Sequence, residues 1–213
     1  MRLVRKEILI DLGGVSGSLS WKEAESDIES AIRDVEWPVG SGLFTLFTGR
    51  DGKSRHENGV VPIKEMFLDR LSKRLWGREV PFDASADISP GDFDASRVIG
   101  GQVFSVEWET GNISSSHRSM NKMVLALMYG LMAGGVLVLP SREMYRHLTD
   151  RIGNFDELRP YLPLWRRTEG IRSGLLAIFV VEQDGLSPTV LMIRKGTDGW
   201  ALRRPPKSSE EPR

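Results

Sequence analysis

Residues 92–118 read DFDASRVIGGQVFSVEWETGNISSSHR. The segment 103–108 is rich in β-branched and aromatic residues, 93–99 approaches it in the same style, and Gly100-Gly101 lies between them as a two-residue turn. A β-hairpin follows, and the turn fixes its register. If Ile99 pairs with Gln102, Asp94 lies opposite Glu107 and Asp92 opposite Glu109. Side chains alternate along a strand, and directly opposed Cβ atoms come within about 5.5 Å, so all four carboxylates are expected to converge on one face. Like charges that close are destabilising unless a proton or a cation intervenes, and clustered hard oxygen ligands suit Mg²⁺ or Mn²⁺. The competing reading is the solvated face of an ordinary hairpin. Four acids in register favour a bound metal.

Working outward, the 213 residues are 40% hydrophobic and 27% charged, which predicts a single globular domain over 1–213 with one sizeable core. The 29 basic and 29 acidic residues cancel, so any nucleic-acid contact must come from a local basic surface. The absence of cysteine excludes disulfides, cysteine zinc sites and thiol catalysis, and fits a reducing cytoplasm. No apolar run reaches membrane-spanning length, and the opening MRLVRKEILIDLGG lacks a signal-peptide layout. A cytoplasmic protein with no membrane partner is expected. The tail over about 200–213 is basic and proline-rich, without periodicity, and has little reason to order by itself.

Trp21, Ala24, Ile28, Ala31, Ile32 and Val35 follow helical spacing, and Trp37-Pro38 breaks it. The spacing predicts a second helix over 62–75 with Ile63, Met66, Phe67 and Leu71 as its buried stripe. A third helix after the hairpin carries Met120, Met123, Val124, Leu127, Met128 and Leu131, a stripe suited to core packing or a dimer seam. Short strands are predicted over 43–48, 136–139, 175–182 and 189–195. Ser141 is placed to cap a helix running to about Ile152. The alternation of strands and helices predicts an α/β fold of three layers, a mixed central sheet flanked by helices.

Gly52-Lys53-Ser54 resembles the end of a phosphate-binding loop, but the first glycine would fall at Phe47, so that reading is rejected. His56, His117 and His147 have no paired metal spacing and read as surface or structural histidines. Ser114 to Ser116 are expected to cap the third helix and to leave Asn112, Ser114 and Arg118 just beyond the metal face. A helix N-terminus attracts anions, arginine grips guanine and asparagine grips adenine, so such groups suit phosphate or base-edge contacts. Capping competes with that role for the serines, and an internal ion pair competes with it for Arg118.

GQVFSVEWETGNISSSHRSMNKM, over 101–123, closely resembles the catalytic segment of the BamHI-like type II restriction endonucleases, within the PD-(D/E)XK fold. The resemblance extends to NGVVPIKE at 58–65, LTDRIGNFDELRPYL at 148–162 and KGTDG at 195–199, in the family's order. It implies that Asp94, Glu107 and Glu109 form the catalytic acidic set with Glu79 as a further acid, and that Asp94, Glu107 and Glu79 hold Mg²⁺, with Mn²⁺ a substitute. Glu109 stands where most of the superfamily has lysine, which leaves it to orient or deprotonate the attacking water. Asn112, Ser114, Arg118, Asp150, Arg151, Asp198 and Gly199 are implied base readers of a target resembling GGATCC. A homodimer on double-stranded DNA and a cognate DNA methyltransferase are the implied partners. The alternative is a sequence-specific DNA-binding protein without cleavage activity. The loop between Asp94 and Glu107 is shorter than in the family, so Asp92 and Asp94 both stand as the metal ligand, and Trp200 replaces a methionine.

Overall fold

A computed structural model describes residues 1–49, 57–81, 91–149 and 152–195. In chain order the elements are β1 (Arg2–Leu12), α1 (Leu19–Arg33), β2 (Thr45–Phe47), α2 (Val61–Ser72), β3 (Gly77–Val80), β4 (Phe93–Ile99) and β5 (Gln102–Trp108), then α3 (Ile113–Met128), β6 (Gly134–Pro140), α4 (Arg142–Tyr145), α5 (Phe155–Leu158), α6 (Leu162–Arg166), β7 (Gly174–Glu182) and β8 (Gly185–Ser187). Six strands form one sheet in the order β1-β7-β6-β5-β4-β3. The three central strands β5, β6 and β7 run parallel, and antiparallel partners flank them on both sides.

Strand β6 is buried along its whole length, as a continuous apolar run covered on both faces requires. Its residues alternate between two cores. Val136 and Val138 join Trp21, Ile28 and Phe67 beneath α1 and α2, whereas Leu137 and Leu139 join Met120, Met123, Leu127 and Trp165 beneath α3 and α6. Helices therefore cover both faces of a mixed sheet, the three-layer α/β architecture expected. Helix α1 starts where Ser18 accepts a hydrogen bond from the Trp21 N–H, and it buries the predicted stripe. In α3 the stripe is buried at Met120, Met123, Val124 and Leu127 but emerges at Met128 and Leu131.

Three segments depart from the sequence reading. Strand β1 carries Arg2, Arg5, Lys6, Glu7 and Asp11, charges that hide its strand character; it is an edge strand paired only with β7, where such charges are tolerated and guard the open edge. The helix begun at Ser141 is capped as predicted, but it stops at Tyr145 instead of running to Ile152. Asn58 intercepts the chain there: its N–H donates to the His147 carbonyl at 3.0 Å and its carbonyl accepts from the Thr149 N–H at 2.7 Å. The predicted strand over 189–195 forms no ladder. Instead β8 pairs in parallel with β2, and Ile193 is tied to Asn58 Oδ1 and to the Gly59 N–H. A Cβ on Gly59 would lie 2.1 Å from the Arg194 carbonyl oxygen, so only glycine permits this approach. Among the described residues, no helix is long and apolar enough to cross a membrane.

Candidate active site

The β4–β5 hairpin has the register set by its turn. Gly100 and Gly101 both adopt positive φ, at 58° and 76°, and Ile99–Gln102, Val98–Val103, Ser96–Ser105 and Ala95–Val106 are paired. The ladder ends at that pair, and Asp94 and Glu107 are the next residues on the two strands. On the other side of β4, the pairs Arg78–Ala95 and Val80–Phe93 bracket Glu79 and Asp94. Three acids thus stand at one level on three adjacent strands. Glu79 is exposed, with φ at 48°, a left-handed backbone unusual for a non-glycine residue.

Each inner acid is held by the protein. Asp94 Oδ1 accepts from Lys64 Nζ at 2.5 Å, and its Oδ2 accepts from the Trp108 backbone N–H at 2.8 Å. Glu107 is only 6% exposed, and its Oε1 is in close ion-pair contact with Lys122 Nζ. Lys122, itself buried, also donates to the Asp92 carbonyl at 2.5 Å, and its ammonium lies 4.9 Å from the centre of the Phe93 ring. Glu109 Oε1 accepts from the Gly111 N–H at 2.6 Å, while Oε2 is buried without a hydrogen-bond partner among the described residues.

This environment raises the proton affinity of both glutamates. Burial, then the negative charge of Asp94, pushes Glu107 up to about 7 against the opposing pull of Lys122. Burial also raises Glu109, against the hydrogen bond from the Gly111 N–H that favours its charged form. A carboxyl that changes protonation near neutrality is a common property of catalytic sites.

The four-acid cluster expected from the sequence is not assembled. Strand β4 begins at Phe93, so Asp92 lies ahead of the ladder, exposed, and offers only its carbonyl to Lys122. Glu109 lies just past the end of β5, with its N–H donated to the Val138 carbonyl of β6 at 3.0 Å. Among the described residues, no three His, Cys, Asp or Glu side chains are gathered closely enough to hold a metal.

Beside the acids, α3 begins. Its cap is Asn112 rather than the serines: Oδ1 accepts from the N–H groups of Ser114 and Ser115 at 3.0 and 3.4 Å. Asn112, Ser114 and Arg118 are all exposed, with Ser114 and Arg118 one helical turn apart on the same side. No carboxylate among the described residues pairs with Arg118, so the internal ion pair that competed with DNA contact is absent there. The Gly153 N–H donates to the Gly111 carbonyl at 2.8 Å and docks the following segment against this helix start. Asp150, Arg151, Asp198 and Gly199 lie outside the described residues, as does His56. His117 meets Tyr161 edge-on at 4.6 Å and lies 5.4 Å from Trp165, a packing role consistent with a structural histidine. The residues that sequence reasoning missed are Lys64 and Lys122. A lysine set among Met120, Met123 and Val124 was the available signal, because a charge within an apolar stripe needs a buried partner.

The family model described as Restriction endonuclease BamHI matches residues 1–200 of this chain. The chain belongs to the BamHI family of restriction endonucleases. It is 44% identical over 203 residues to the type II restriction enzyme OkrAI of Oceanobacter kriegii, a match covering 95% of this chain and 100% of that relative. It is 33% identical over 189 residues to the type II restriction enzyme BamHI of Bacillus amyloliquefaciens, covering 85% and 84% of the two chains. In fold it resembles the restriction endonuclease BglII, solved in complex with a DNA 16-mer, with a TM-score of 0.56 and 13% identity over 85% of this chain and 78% of that one. Membership of the BamHI family places the chain among the type II site-specific deoxyribonucleases, and its acid-bearing hairpin falls within the matched residues.

Proposed function

We propose that this BamHI-family chain cleaves double-stranded DNA at the palindrome GGATCC, hydrolysing one phosphodiester in each strand as a homodimer that uses Mg²⁺, with Mn²⁺ an effective substitute. The observation that supports it most directly is the placement of Glu79, Asp94 and Glu107 at one level of β3, β4 and β5, next to the exposed start of α3. A two-fold DNA site is matched by a two-fold protein. A cytoplasmic setting and a cognate DNA methyltransferase, which would shield the host's own sites, complete the reading.

The donors are of the kind a hard divalent ion takes, and the Asp94 and Glu107 carboxylates are each ion-paired to a lysine in this structure. They are carboxylate oxygens, and Glu109 Oε2 is a buried oxygen without a partner among the described residues. Asp94 and Glu107, with a peptide carbonyl of Val106 or Trp108, would hold the ion, and Glu79 would have to close on them, since no three acids are gathered there among the described residues. When bound, Mg²⁺ supplies positive charge against the phosphate and eases deprotonation of water. The chain's own groups do the rest. Trp108 N–H fixes the Asp94 carboxylate, and Gly111 N–H fixes that of Glu109. Glu109, raised by burial, is suited to take a proton from the attacking water. Asn112, Ser114 and Arg118, with Asp150, Arg151, Asp198 and Gly199, would read base edges, each good bidentate pair contributing about 1 to 3 kcal/mol of discrimination.

The test is incubation of the purified protein with a duplex containing GGATCC, and with a one-base-pair variant, in Mg²⁺ and then in EDTA. Discrete fragments from the first duplex only, lost with EDTA, are the expected result. Retarded but intact DNA would indicate a binder that does not cut. DNA neither cut nor bound in Mg²⁺ would end both readings.

A further inference from the structure

Two lysines close on the two inner acids from opposite faces of the sheet. Lys64 rises from α2, which packs on one core, and Lys122 from α3, which packs on the other. Lys64 Nζ meets Asp94 Oδ1 at 2.5 Å, and Lys122 Nζ meets Glu107 Oε1. Lys122 also spans the hairpin, because its second oxygen partner is the Asp92 carbonyl at the start of β4. Hydrolysis as set out above uses neither side chain. A buried lysine loses hydration that only close anionic partners restore, so Lys122 is too costly a filler for an apolar stripe without a purpose at this site.

We propose that Lys64 and Lys122 are built-in counter-cations. They hold the acids of β4 and β5 together against their mutual repulsion, and they compete with a divalent ion for the same carboxylate oxygens. The inference rests on the metal reading given under the proposed function. With both acids ionised, they and the two ammonium groups sum to zero charge, so a divalent ion drawn to Asp94 Oδ1 and Glu107 Oε1 meets two positive charges in contact with its own ligands. Its affinity for the free protein is thereby held down. A phosphate brought by DNA adds negative charge and shifts the balance toward the ion, which ties tight metal binding to the presence of substrate. Both lysines are positioning residues, acting through Asp94 and Glu107.

The experiment is thermal unfolding of the DNA-free protein across a Mn²⁺ titration, reading the Mn²⁺ concentration at half of the full stabilisation. Wild type, Lys122→Met, Lys64→Met and Glu107→Ala are compared. Removing either lysine is expected to lower the melting temperature without metal and to lower the Mn²⁺ midpoint by about fivefold or more. A lysine with a purely structural role would lower the melting temperature and leave the midpoint in place. An unchanged or higher midpoint in the folded lysine variants overturns the proposal while leaving the metal site standing. If Lys122→Met does not fold, Lys64→Met, at a more exposed pair, decides the question alone. A wild type that Mn²⁺ does not stabilise, or a Glu107→Ala variant stabilised as well as wild type, overturns the metal reading and this proposal with it.

Discussion

The end of β5 and the start of α3 lie within a few residues of each other and are built on opposite principles. Glu107 and Glu109 are buried, at 6% and 4% exposure, and engaged by Lys122 and Gly111. Asn112, Ser114 and Arg118 are exposed, and Arg118 has no charged partner among the described residues. The difference is the one the proposed function calls for. Chemistry on a phosphate requires groups fixed before the substrate arrives, in surroundings where charge interacts strongly. Reading a base edge requires donors and acceptors still free to pair.

The largest effect expected on the buried side is from Glu107→Ala or Asp94→Ala, which should reduce cleavage of a GGATCC duplex by about a thousandfold or more while leaving specific binding in Ca²⁺ measurable by gel retardation. Asp92→Ala, removing an exposed side chain whose carbonyl alone meets Lys122, should leave cleavage within about threefold. Loss of activity in Asp92→Ala alone would mean that the contrast has been drawn around the wrong acid.

Proton linkage gives the next largest effect. Glu107, raised by burial to about 7, keeps in the folded state a proton that the unfolded chain releases near the ordinary glutamate value of 4.5. The folded state therefore binds more protons across that window, and stability of the metal-free protein should fall as pH rises through it, by roughly 2 to 3 kcal/mol. Denaturant unfolding between pH 4.5 and 8 measures the slope, and Glu107→Gln should flatten it. A slope that survives Glu107→Gln would assign it to other groups.

On the exposed side, Arg118→Ala should weaken specific DNA binding by about 1 to 3 kcal/mol with no change in melting temperature. A large stability loss would show that Arg118 belongs to the fold rather than to the reading surface. Asn112 spans both principles, since its Oδ1 caps α3 while its side chain stays exposed. Asn112→Ala should cost about 1 kcal/mol of stability through the lost cap. Asn112→Asp, which keeps a capping oxygen, should retain stability and change base preference. Equal stability of all three forms would remove Asn112 from the cap.

Much of this arrangement was legible in the chain. The Gly100-Gly101 turn set a register that holds through Ala95–Val106, and helical spacing located α1, α2 and α3 within a few residues. Other parts were hidden for identifiable reasons. Charges masked β1, because an edge strand need not alternate cleanly. The stop after Tyr145 depends on Asn58, which claims the backbone at His147 and Thr149 from far away in sequence. The cap of α3 was placed on the serines because each is a good capping residue, and only the entry direction of the chain gave the position to Asn112.

By itself the sequence determined the hairpin and its register as far as Ala95–Val106, because turn geometry and the two-residue period of a strand are local properties. The matching blocks of sequence also determined the family. Only the tertiary structure decided how the acids are compensated: Asp92 is left ahead of β4, Glu109 is held by the Gly111 N–H, and Lys64 and Lys122 are brought onto Asp94 and Glu107. Those pairings join residues far apart in the chain. Burial makes them necessary, since an acid that keeps its charge out of water must find a cation or a hydrogen-bond donor wherever the packed layers deliver one.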